Sequence, residues 1–258
     1  IHTRRVWSVA ARMWRVPMRM DVSTLEIDVS RSGVDSRRTC SENVRQGLCS
    51  VNGRVIRDPS HRLFEGDSVS YMGQGVTIPP PFVAMLNKPV GYETTMAERN
   101  ERRTVLELMA GMPRGCRPCG RLDVKTGGLL LVTNDGDLLH RLSHPRWGVK
   151  REYRVGLRKK PDRKVIEAMS RGMRIGRGEV CRPVSVERTG AREITLVLDR
   201  GRYHEVRRLV SAAKMRLSFL ERTAYGPVRL SGVRRGNWKK LEGGVLRALY
   251  DEVDLTPP

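Results

Sequence analysis

Aromatic side chains are scarce in this sequence, at 5% of 258 residues. Proteins that hold long single strands of nucleic acid stack the bases on such side chains, so the shortage argues against a platform of that kind. Long apolar runs are also missing, because no stretch of 18 or more apolar residues occurs. A helix that crosses a bilayer needs a run of about that length, so the sequence predicts no membrane-spanning helix.

The number of cysteines is odd, which in a chain of this size does not predict a disulfide framework. There are five, namely Cys40, Cys49, Cys116, Cys119 and Cys181. Cys116 and Cys119 form a C-x-x-C pair, but a structural zinc site needs two further ligands and no second pair follows. The sequence favours two ordinary thiols in a loop. A dinucleotide-binding glycine motif is absent as well, so we expect neither a metal nor an organic cofactor.

Positive charge is what the chain has in excess, with 49 Lys and Arg against 28 Asp and Glu, a formal net charge of +21. The basic residues are spread over the whole chain and are not confined to a tail. Such a field favours binding to a polyanion, and nucleic acid is the commonest one. An anionic membrane surface and general solubility charge are the alternatives.

The first twenty residues contain five arginines and no acid. Their Trp and Ala residues at positions 7, 10, 11 and 14 fall at helical spacing. This composition is typical of organellar transit segments, and equally of a basic arm that lies on RNA. We therefore expect a basic arm over residues 1–20 and a mitochondrial or other organellar location, with a bacterial cytoplasm as the alternative. Because the chain begins with Ile and not with Met, we also expect residues upstream of it.

Residues 21–75 are predicted to form a small module that opens with helical segments. Ser36 is a good N-cap for a helix from Arg37 to Gln46, and Gly47 stands where a C-terminal glycine belongs. Cys40, Val44 and Leu48 would share the apolar face of this helix.

A hairpin follows, because Asn52 and Gly53 separate two short strand-like runs, Cys49–Val51 and Arg54–Ile56. Residues 76–81 then act as a linker between domains, since the run from Gly73 to Pro81 holds two Gly and three consecutive Pro.

The small module resembles the S4 RNA-binding domain in three runs, SGVDSRR at 32–38, VNG at 51–53 and GDSV at 66–69. The resemblance implies that Arg37 and Arg38 contact RNA phosphates, which positions a protein without reading sequence. The alternative is that both are solvated surface charges. Where the family has a basic first helix, the run Leu25–Val29 is acidic, and we expect the N-terminal arm to compensate.

The most informative stretch is GRLDVKTGGLLLVTNDG at 120–136, within a predicted large domain over residues 82–258. Leu129–Thr133 is a continuous apolar run typical of a central strand. Asp123 stands just before it in a loop bounded by small residues, which places a carboxylate at the edge of a rigid sheet. Taken alone, a loop Asp is more often a turn former than a catalyst.

This stretch resembles the catalytic motif of pseudouridine synthases, in particular the RsuA/RluB-like branch that modifies ribosomal RNA. The resemblance extends through further ordered motifs: LNKPVG at 86–91, LSHP at 142–145, KREYRV at 150–155, RGRYHEVRR at 200–208, YGPV at 225–228 and GNWKKL at 236–241. It implies an α+β protein, in which a small S4-like domain precedes a mixed, mostly antiparallel sheet that carries the site in a basic cleft.

The resemblance also implies roles for individual residues. Asp123 matches the essential carboxylate, Tyr153 the tyrosine that lies against the flipped base, and Arg207 the basic partner of the carboxylate. Without the resemblance, Tyr153 would be an ordinary core residue and Arg207 a surface charge. His204 and His140 invite a general-base role, but the chemistry does not need them, and we expect His204 to be structural or to touch RNA. Further RNA contacts are expected from Lys88, Arg121, Lys125 and Arg208.

The sequence therefore predicts an enzyme that converts a uridine of ribosomal RNA to pseudouridine. The run VKREY at 149–153 resembles the branch of the family that acts on large-subunit RNA more closely than the small-subunit branch. The resemblance implies an assembling large subunit and its proteins as partners, and we expect no membrane. One alternative is a ribosome-assembly factor that keeps the fold and has lost catalysis, or no longer needs it. Another is a synthase of the same chemistry that acts on tRNA.

Overall fold

The computed structural model describes residues 21–77, 79–97 and 102–257, so the arm predicted over residues 1–20 lies outside the described residues. The described chain divides into two compact units. The first contains residues 21–30 and 35–77, and the second contains residues 31–34 together with the rest of the chain from position 79. In the described part of the chain, no helix is long and apolar enough to cross a membrane.

After a short first strand, the first unit has two helices, α1 (Leu25–Arg31) and α2 (Arg37–Arg45). Ser36 caps α2 as predicted, because its side-chain oxygen accepts a hydrogen bond from the backbone N–H of Thr39 at 3.2 Å. Cys40 and Val44 are fully buried on the apolar face of α2. The placement of Leu48 on that face is wrong, since the helix ends before it and Leu48 is 39% exposed.

The predicted hairpin is present and joins β2 (Cys49–Val51) to β3 (Arg54–Ile56) in antiparallel pairing. Asn52 and Gly53 both have positive φ, of 50° and 79°, which is the conformation that such a two-residue turn requires. The remaining strands of this unit are β1 (Asp21–Thr24), β4 (Arg62–Phe64), β5 (Val69–Tyr71) and β6 (Gln74–Gly75). They form a four-stranded sheet in the order β3-β2-β5-β6 and a separate β1-β4 pair.

The second unit is built around one large sheet. Its strands, in chain order, are β7 (Val83–Lys88), β8 (Arg117–Pro118), β9 (Gly127–Thr133), β10 (Arg151–Leu157), β13 (Ser185–Gly190), β14 (Glu193–Leu198), β15 (Leu217–Tyr225), β16 (Val228–Arg229) and β17 (Trp238–Lys240). A separate pair is formed by β11 (Met173–Arg174) and β12 (Val180–Cys181). The helices are α3 (Val105–Leu108), α4 (Gly136–Ser143), α5 (Arg163–Arg171), α6 (Glu205–Ala212) and α7 (Gly243–Asp251), with a 3₁₀ turn at Pro145–Trp147.

The strand order in the large sheet is β13-β14-β10-β15-β9-β7-β17. Neighbouring strands are antiparallel except β9 and β15, which are parallel, so the predicted mixed, mostly antiparallel sheet is confirmed. Both faces are covered, since Leu130 and Val132 pack in one core cluster and Leu129 and Leu131 in another. A strand that is buried on both faces reads as a continuous apolar run, which is the pattern of β9.

The parallel contact between β9 and β15 depends on Gly128, whose φ is +100°. A Cβ atom at this position would lie 2.3 Å from the carbonyl oxygen of Arg222 and 2.7 Å from its nitrogen. We therefore expect Gly128→Ala to lower the free energy of unfolding by about 3 kcal/mol or more, through backbone strain and separation of the two strands. Urea unfolding followed by circular dichroism would measure the change.

Gly136→Ala is the matched control, because Gly136 stands in the first turn of α4 and a Cβ atom added there would have no neighbour within 4 Å. We expect its effect on the free energy of unfolding to stay within about 1 kcal/mol. Equal losses for the two variants would contradict the assigned role of the β9-β15 contact.

Candidate active site

Asp123 lies in a short turn that leads directly into β9. The turn is closed by a hydrogen bond from the N–H of Thr126 to the carbonyl of Asp123 at 2.9 Å. Thr94 fixes the preceding residue, because its hydroxyl donates to the carbonyl of Leu122 at 2.7 Å and accepts from the Leu122 N–H at 3.2 Å. The N–H of Gly91 binds the carbonyl of Val124 at 2.7 Å. The carboxylate is thus carried by a loop whose backbone is held on both sides.

Lys88 holds the same turn from beneath. Its ammonium donates to three backbone carbonyls, those of Thr126 at 2.8 Å, Pro89 at 3.0 Å and Asp123 at 3.2 Å. The side chain is 0% exposed. The prediction that Lys88 contacts RNA is therefore wrong, since a fully buried ammonium with all three N–H groups engaged has none to offer a phosphate.

The carboxylate of Asp123 lies between two nitrogen donors. Oδ2 is 3.4 Å from Nε of Arg207, and Oδ1 is 3.3 Å from Nε2 of His204. Arg207 also donates through Nη2 to the carbonyl of Lys125 at 2.6 Å and to the hydroxyl of Thr126 at 3.0 Å. One guanidinium therefore compensates the charge of Asp123 and braces the turn that carries it.

Helix α6 aims these two donors. Val206, Leu209 and Val210 are buried in the core, which leaves Arg207 on a different side of the helix, toward the Asp123 turn. His204 precedes the helix in a left-handed conformation, with φ 50° and ψ 32°. The carboxylate of Glu205 accepts from the Arg202 N–H at 2.9 Å and tightens the entry to the helix. From the sequence, His204 was expected to be structural or to touch RNA. No local signal pointed to its contact with Asp123, because the two residues are 81 positions apart in the chain.

Tyr153 lies on β10, is 9% exposed, and lines a cavity with Asp123. The cavity volume is about 120 Å³, several times the roughly 10–15 Å³ that one water molecule needs. Within the described residues, the hydroxyl of Tyr153 has no protein hydrogen-bond partner. Tyr153 is thus both a core residue and a cavity-lining one, so the two interpretations of it are not exclusive.

Two buried arginines, Arg151 and Arg222, form the deep wall of the cavity and were not foreseen. Arg222 donates through Nε to the carbonyl of Leu129 at 2.7 Å. Arg151 donates through Nη2 to the carbonyl of Leu142 at 2.9 Å and to the hydroxyl of Tyr225 at 3.0 Å. Each guanidinium lies 4.8 Å from the centre of the Tyr225 ring. They make the interior of the site positive, which favours an anionic or polar guest.

The remaining predicted RNA contacts of this unit fall into two classes. Arg121 and Lys125 are exposed and flank Asp123 in the chain, and Arg121 also lines the cavity. Arg208 is not available in the same way, because its guanidinium binds the carbonyls of Ile175 and Gly176 at 2.9 and 2.8 Å and the carboxylate of Glu179 at 2.5 Å. The assignment of Arg208 as an RNA contact is corrected to a structural role, since its donors already have partners in the protein.

In the first unit, the two predicted phosphate contacts differ as well. Arg37 pairs with the carboxylate of Glu26 at 2.8 Å, so part of its charge is compensated within the unit. Arg38 is exposed, and no ion pair joins it to another residue in the described part of the chain. Arg38 is therefore the better placed of the two to meet a phosphate.

Burial lowers the pKa of Lys88 to about 8, with Asp123 opposing and Arg222 adding to the shift. As the pH rises through about 8, the amine loses a proton and keeps two N–H groups for three carbonyls. We therefore expect activity to fall above pH 8 as the Asp123 turn loosens. Lys88→Met should be less active below pH 8 and should lack this alkaline decline, which a pH profile of kcat would show.

The free energy of unfolding should rise over the pH range in which activity falls. The folded state binds fewer protons than the unfolded state between the two pKa values of Lys88, about 8 and 10.5, so this group makes the free energy of unfolding rise with pH in that window. The gain should be about 3 kcal/mol and should be missing in Lys88→Met. The exposed Lys239 provides the control Lys239→Met, which should keep the wild-type pH dependence. A Lys88→Met profile that matches the wild type would contradict the prediction.

Comparison with known proteins places this site in context. Residues 83–212, which include Asp123, Tyr153 and Arg207, match a family model described as RNA pseudouridylate synthase. A protein of Aquifex aeolicus named uncharacterized RNA pseudouridine synthase is 34% identical over 229 residues, covering 86% of this chain and 94% of the relative. A Bacillus subtilis protein named ribosomal large subunit pseudouridine synthase B is 29% identical over 224 residues, covering 84% and 92%. A crystal structure of a pseudouridylate synthase superposes with a TM-score of 0.60 at 25% identity and covers 86% of this chain and 96% of that one.

Proposed function

Since the chain belongs to the RNA pseudouridylate synthase family, we propose that it isomerises a uridine of ribosomal RNA to pseudouridine, with Asp123 as its catalytic carboxylate. One observation carries the assignment of the site. Asp123 lies between Arg207 and His204 at the mouth of a cavity whose wall includes Tyr153. A carboxylate fixed between these two side chains is positioned to attack, or to take a proton from, a nucleotide in the cavity.

The reaction exchanges one bond for another within a single nucleotide. The bond between C1′ of the ribose and N1 of uracil breaks, and a bond between C1′ and C5 forms, while the proton of C5 is lost and N1 gains one. Atoms and electrons balance without an oxidant or reductant. Asp123 acts at the target nucleotide, either on the sugar or on a proton, and the hydroxyl of Tyr153 is the group placed to assist proton transfer at the base.

The target base must leave its stack to reach this site. In our proposal the uracil enters the cavity of about 120 Å³ beside Tyr153, as enzymes that act on a base take it out of the helix. The buried guanidiniums of Arg151 and Arg222 favour the polar edge of the base. The exposed Arg121 and Lys125 on either side of Asp123 in the chain would bind the phosphates that flank the extruded nucleotide.

We favour large-subunit ribosomal RNA as the substrate, and an assembling large subunit as the setting. The relative from Bacillus subtilis carries that substrate in its name, and the net charge of +21 suits a large folded RNA. We further propose that the first unit is an S4-like RNA-binding module that contacts phosphates chiefly through Arg38. Phosphate contacts of this kind fix the orientation of the enzyme on the RNA and leave the choice of uridine to RNA shape.

The test is direct modification of RNA by the purified full chain. Protein-free transcripts of large-subunit RNA, small-subunit RNA and a tRNA set would be incubated with the protein, and pseudouridines mapped by sequencing after chemical tagging. We expect modification at one or a few uridines of the large-subunit transcript. Modification confined to tRNA or to small-subunit RNA would overturn the substrate assignment. No pseudouridine in any transcript or in large-subunit precursor particles would overturn the enzymatic function.

A further inference from the structure

A second cavity adjoins the one beside Tyr153 and shares the catalytic carboxylate with it. Its volume is about 380 Å³. Arg121, Asp123, His204 and Arg207 line both cavities, so Asp123 stands between them. The chemistry proposed above uses only the smaller cavity, which leaves the larger one without an occupant.

The wall of the second cavity includes Tyr203, an aromatic residue that is 58% exposed. Its ring stacks on the imidazole of His204, with centroids 3.8 Å apart and an interplanar angle of 19°. His204 in turn contacts Asp123 at 3.3 Å. A continuous line of contacts therefore runs from the carboxylate to an exposed aromatic face. Only 5% of the residues in the chain are aromatic. An exposed tyrosine beside the catalytic carboxylate is therefore a candidate for contact with the substrate.

The segments that carry this face are strained and braced. His204 has φ 50°, and Arg177, whose guanidinium lies 5.3 Å from the centre of the Tyr203 ring, has φ 55°. Such left-handed conformations of non-glycine residues persist where the surrounding structure imposes them, and they cluster at functional sites. The bracing residue is Arg208, which binds the carbonyl of Tyr203 at 3.2 Å and the carbonyl of Gly176 at 2.8 Å.

We propose that the second cavity is a subsite for the nucleotide next to the target uridine, whose base stacks on Tyr203. This inference rests on the proposed function and adds the position of the neighbouring nucleotide to it. When the uridine enters the smaller cavity, its covalently linked neighbour must remain near Asp123, and the second cavity is the adjoining space. Stacking on an aromatic ring accepts any base and stabilises binding without hydrogen-bond readout.

The charges around the cavity suit a nucleotide better than an apolar guest. Arg121 and Lys125 are exposed on its rim, and Arg207 lies deeper. Arg177 adds a further guanidinium over the Tyr203 ring, 5.3 Å from its centre, where it would meet a base that stacks on the ring. Glu93 supplies a carboxylate to the lining, and this carboxylate lies 3.8 Å from the guanidinium of Arg102. A phosphate on the basic rim and a base against the ring use both features of the cavity.

The experiment uses the full chain and a short RNA hairpin that contains the uridine mapped as above. Three forms of the hairpin are compared. One is natural, one has an abasic nucleotide directly 5′ of the uridine, and one has an abasic nucleotide directly 3′ of it. Pseudouridine formation gives kcat/KM for the wild type, Tyr203→Ala and Tyr203→Phe. Phe219→Ala is the matched control, because Phe219 is another exposed aromatic residue and lines neither cavity at Asp123.

We expect Tyr203→Ala to lower kcat/KM on the natural hairpin on the order of tenfold, mainly through KM. Tyr203→Phe keeps the ring and should lose less, and Phe219→Ala should match the wild type. Removing the neighbouring base on one side should cost the wild type a similar factor and cost Tyr203→Ala little, because the stacking partner is already absent.

Two results would overturn the subsite. One is equal loss in the wild type and in Tyr203→Ala when the base is removed, which would show that Tyr203 acts only through His204. The other is an unchanged kcat/KM of the wild type on both abasic hairpins. This result does not depend on whether any variant folds. Both differ from failure of the proposed function, in which the wild type forms no pseudouridine on the natural hairpin.

Discussion

Replacing Asp123 by Asn is expected to lower kcat by at least about a thousandfold, because the amide can neither attack as a nucleophile nor accept a proton as the carboxylate does. The fold should persist, since Asn has the same shape and the turn is held by backbone hydrogen bonds and by Lys88. Binding of the mapped RNA should be retained, as Asp123 offers no positive charge to a phosphate. Single-turnover pseudouridine formation and RNA binding at the same salt concentration would measure both.

The control for this variant is Asp251→Asn, which makes the same chemical change at an exposed position of α7. It should keep wild-type activity and stability. If Asp123→Asn retained more than about a tenth of the activity while folded and RNA-bound, Asp123 would not be the catalytic carboxylate. In cells, a strain with Asp123→Asn that assembles ribosomes normally and lacks the pseudouridine would separate catalysis from any role in assembly.

Replacing Arg207 by Met is expected to lower kcat about a hundredfold while KM changes little. The substitution removes the cation 3.4 Å from the Asp123 carboxylate and the hydrogen bonds to the Lys125 carbonyl and the Thr126 hydroxyl. The carboxylate then loses its compensating charge, and the turn loses a brace, so the reacting group is misplaced. Arg207→Lys keeps the positive charge but lacks the planar guanidinium, so its kcat should lie between those of the wild type and Arg207→Met.

Arg154→Met is the matched control for Arg207, because Arg154 also pairs with carboxylates, those of Glu193 and Glu221, at a more exposed site. Exposed pairs contribute at most about 1 kcal/mol to stability, and this one is not in contact with Asp123. Arg154→Met should therefore retain activity. Equal activity of Arg207→Met and Arg154→Met would remove Arg207 from the site.

Local structure in this chain was predictable where neighbouring residues alone determine it. Ser36 caps α2, and Asn52 with Gly53 forms the turn of the first hairpin, because both are decided by the conformational preferences of a few adjacent residues. The buried strand β9 follows from its continuous apolar run. Leu48 shows the limit of this reasoning, since it keeps the helical spacing but lies beyond the end of the helix.

For the charged residues as well, the sequence predicted some properties and the tertiary structure decided others. The sequence determined that the chain is strongly basic, that a carboxylate stands in a turn before a central strand, and that ordered motifs surround it. Only the tertiary structure decided what each charge does. Lys88 and Arg208 look like RNA contacts in the sequence, yet their donors bind backbone carbonyls inside the protein. His204, set aside on sequence grounds, meets Asp123 directly.

The physical reason is that the burial and the hydrogen-bond partners of a charged side chain depend on the tertiary structure. An ammonium or guanidinium has the same letter in the sequence whether it faces water or three carbonyls, and its role follows from which of these surrounds it. The contacts that define this site join β7, the Asp123 turn, β10 and the start of α6 across long separations in the chain. Asp123 was marked by its motif, whereas its shell of donors and the two cavities beside it were set by how the sheet and α6 come together.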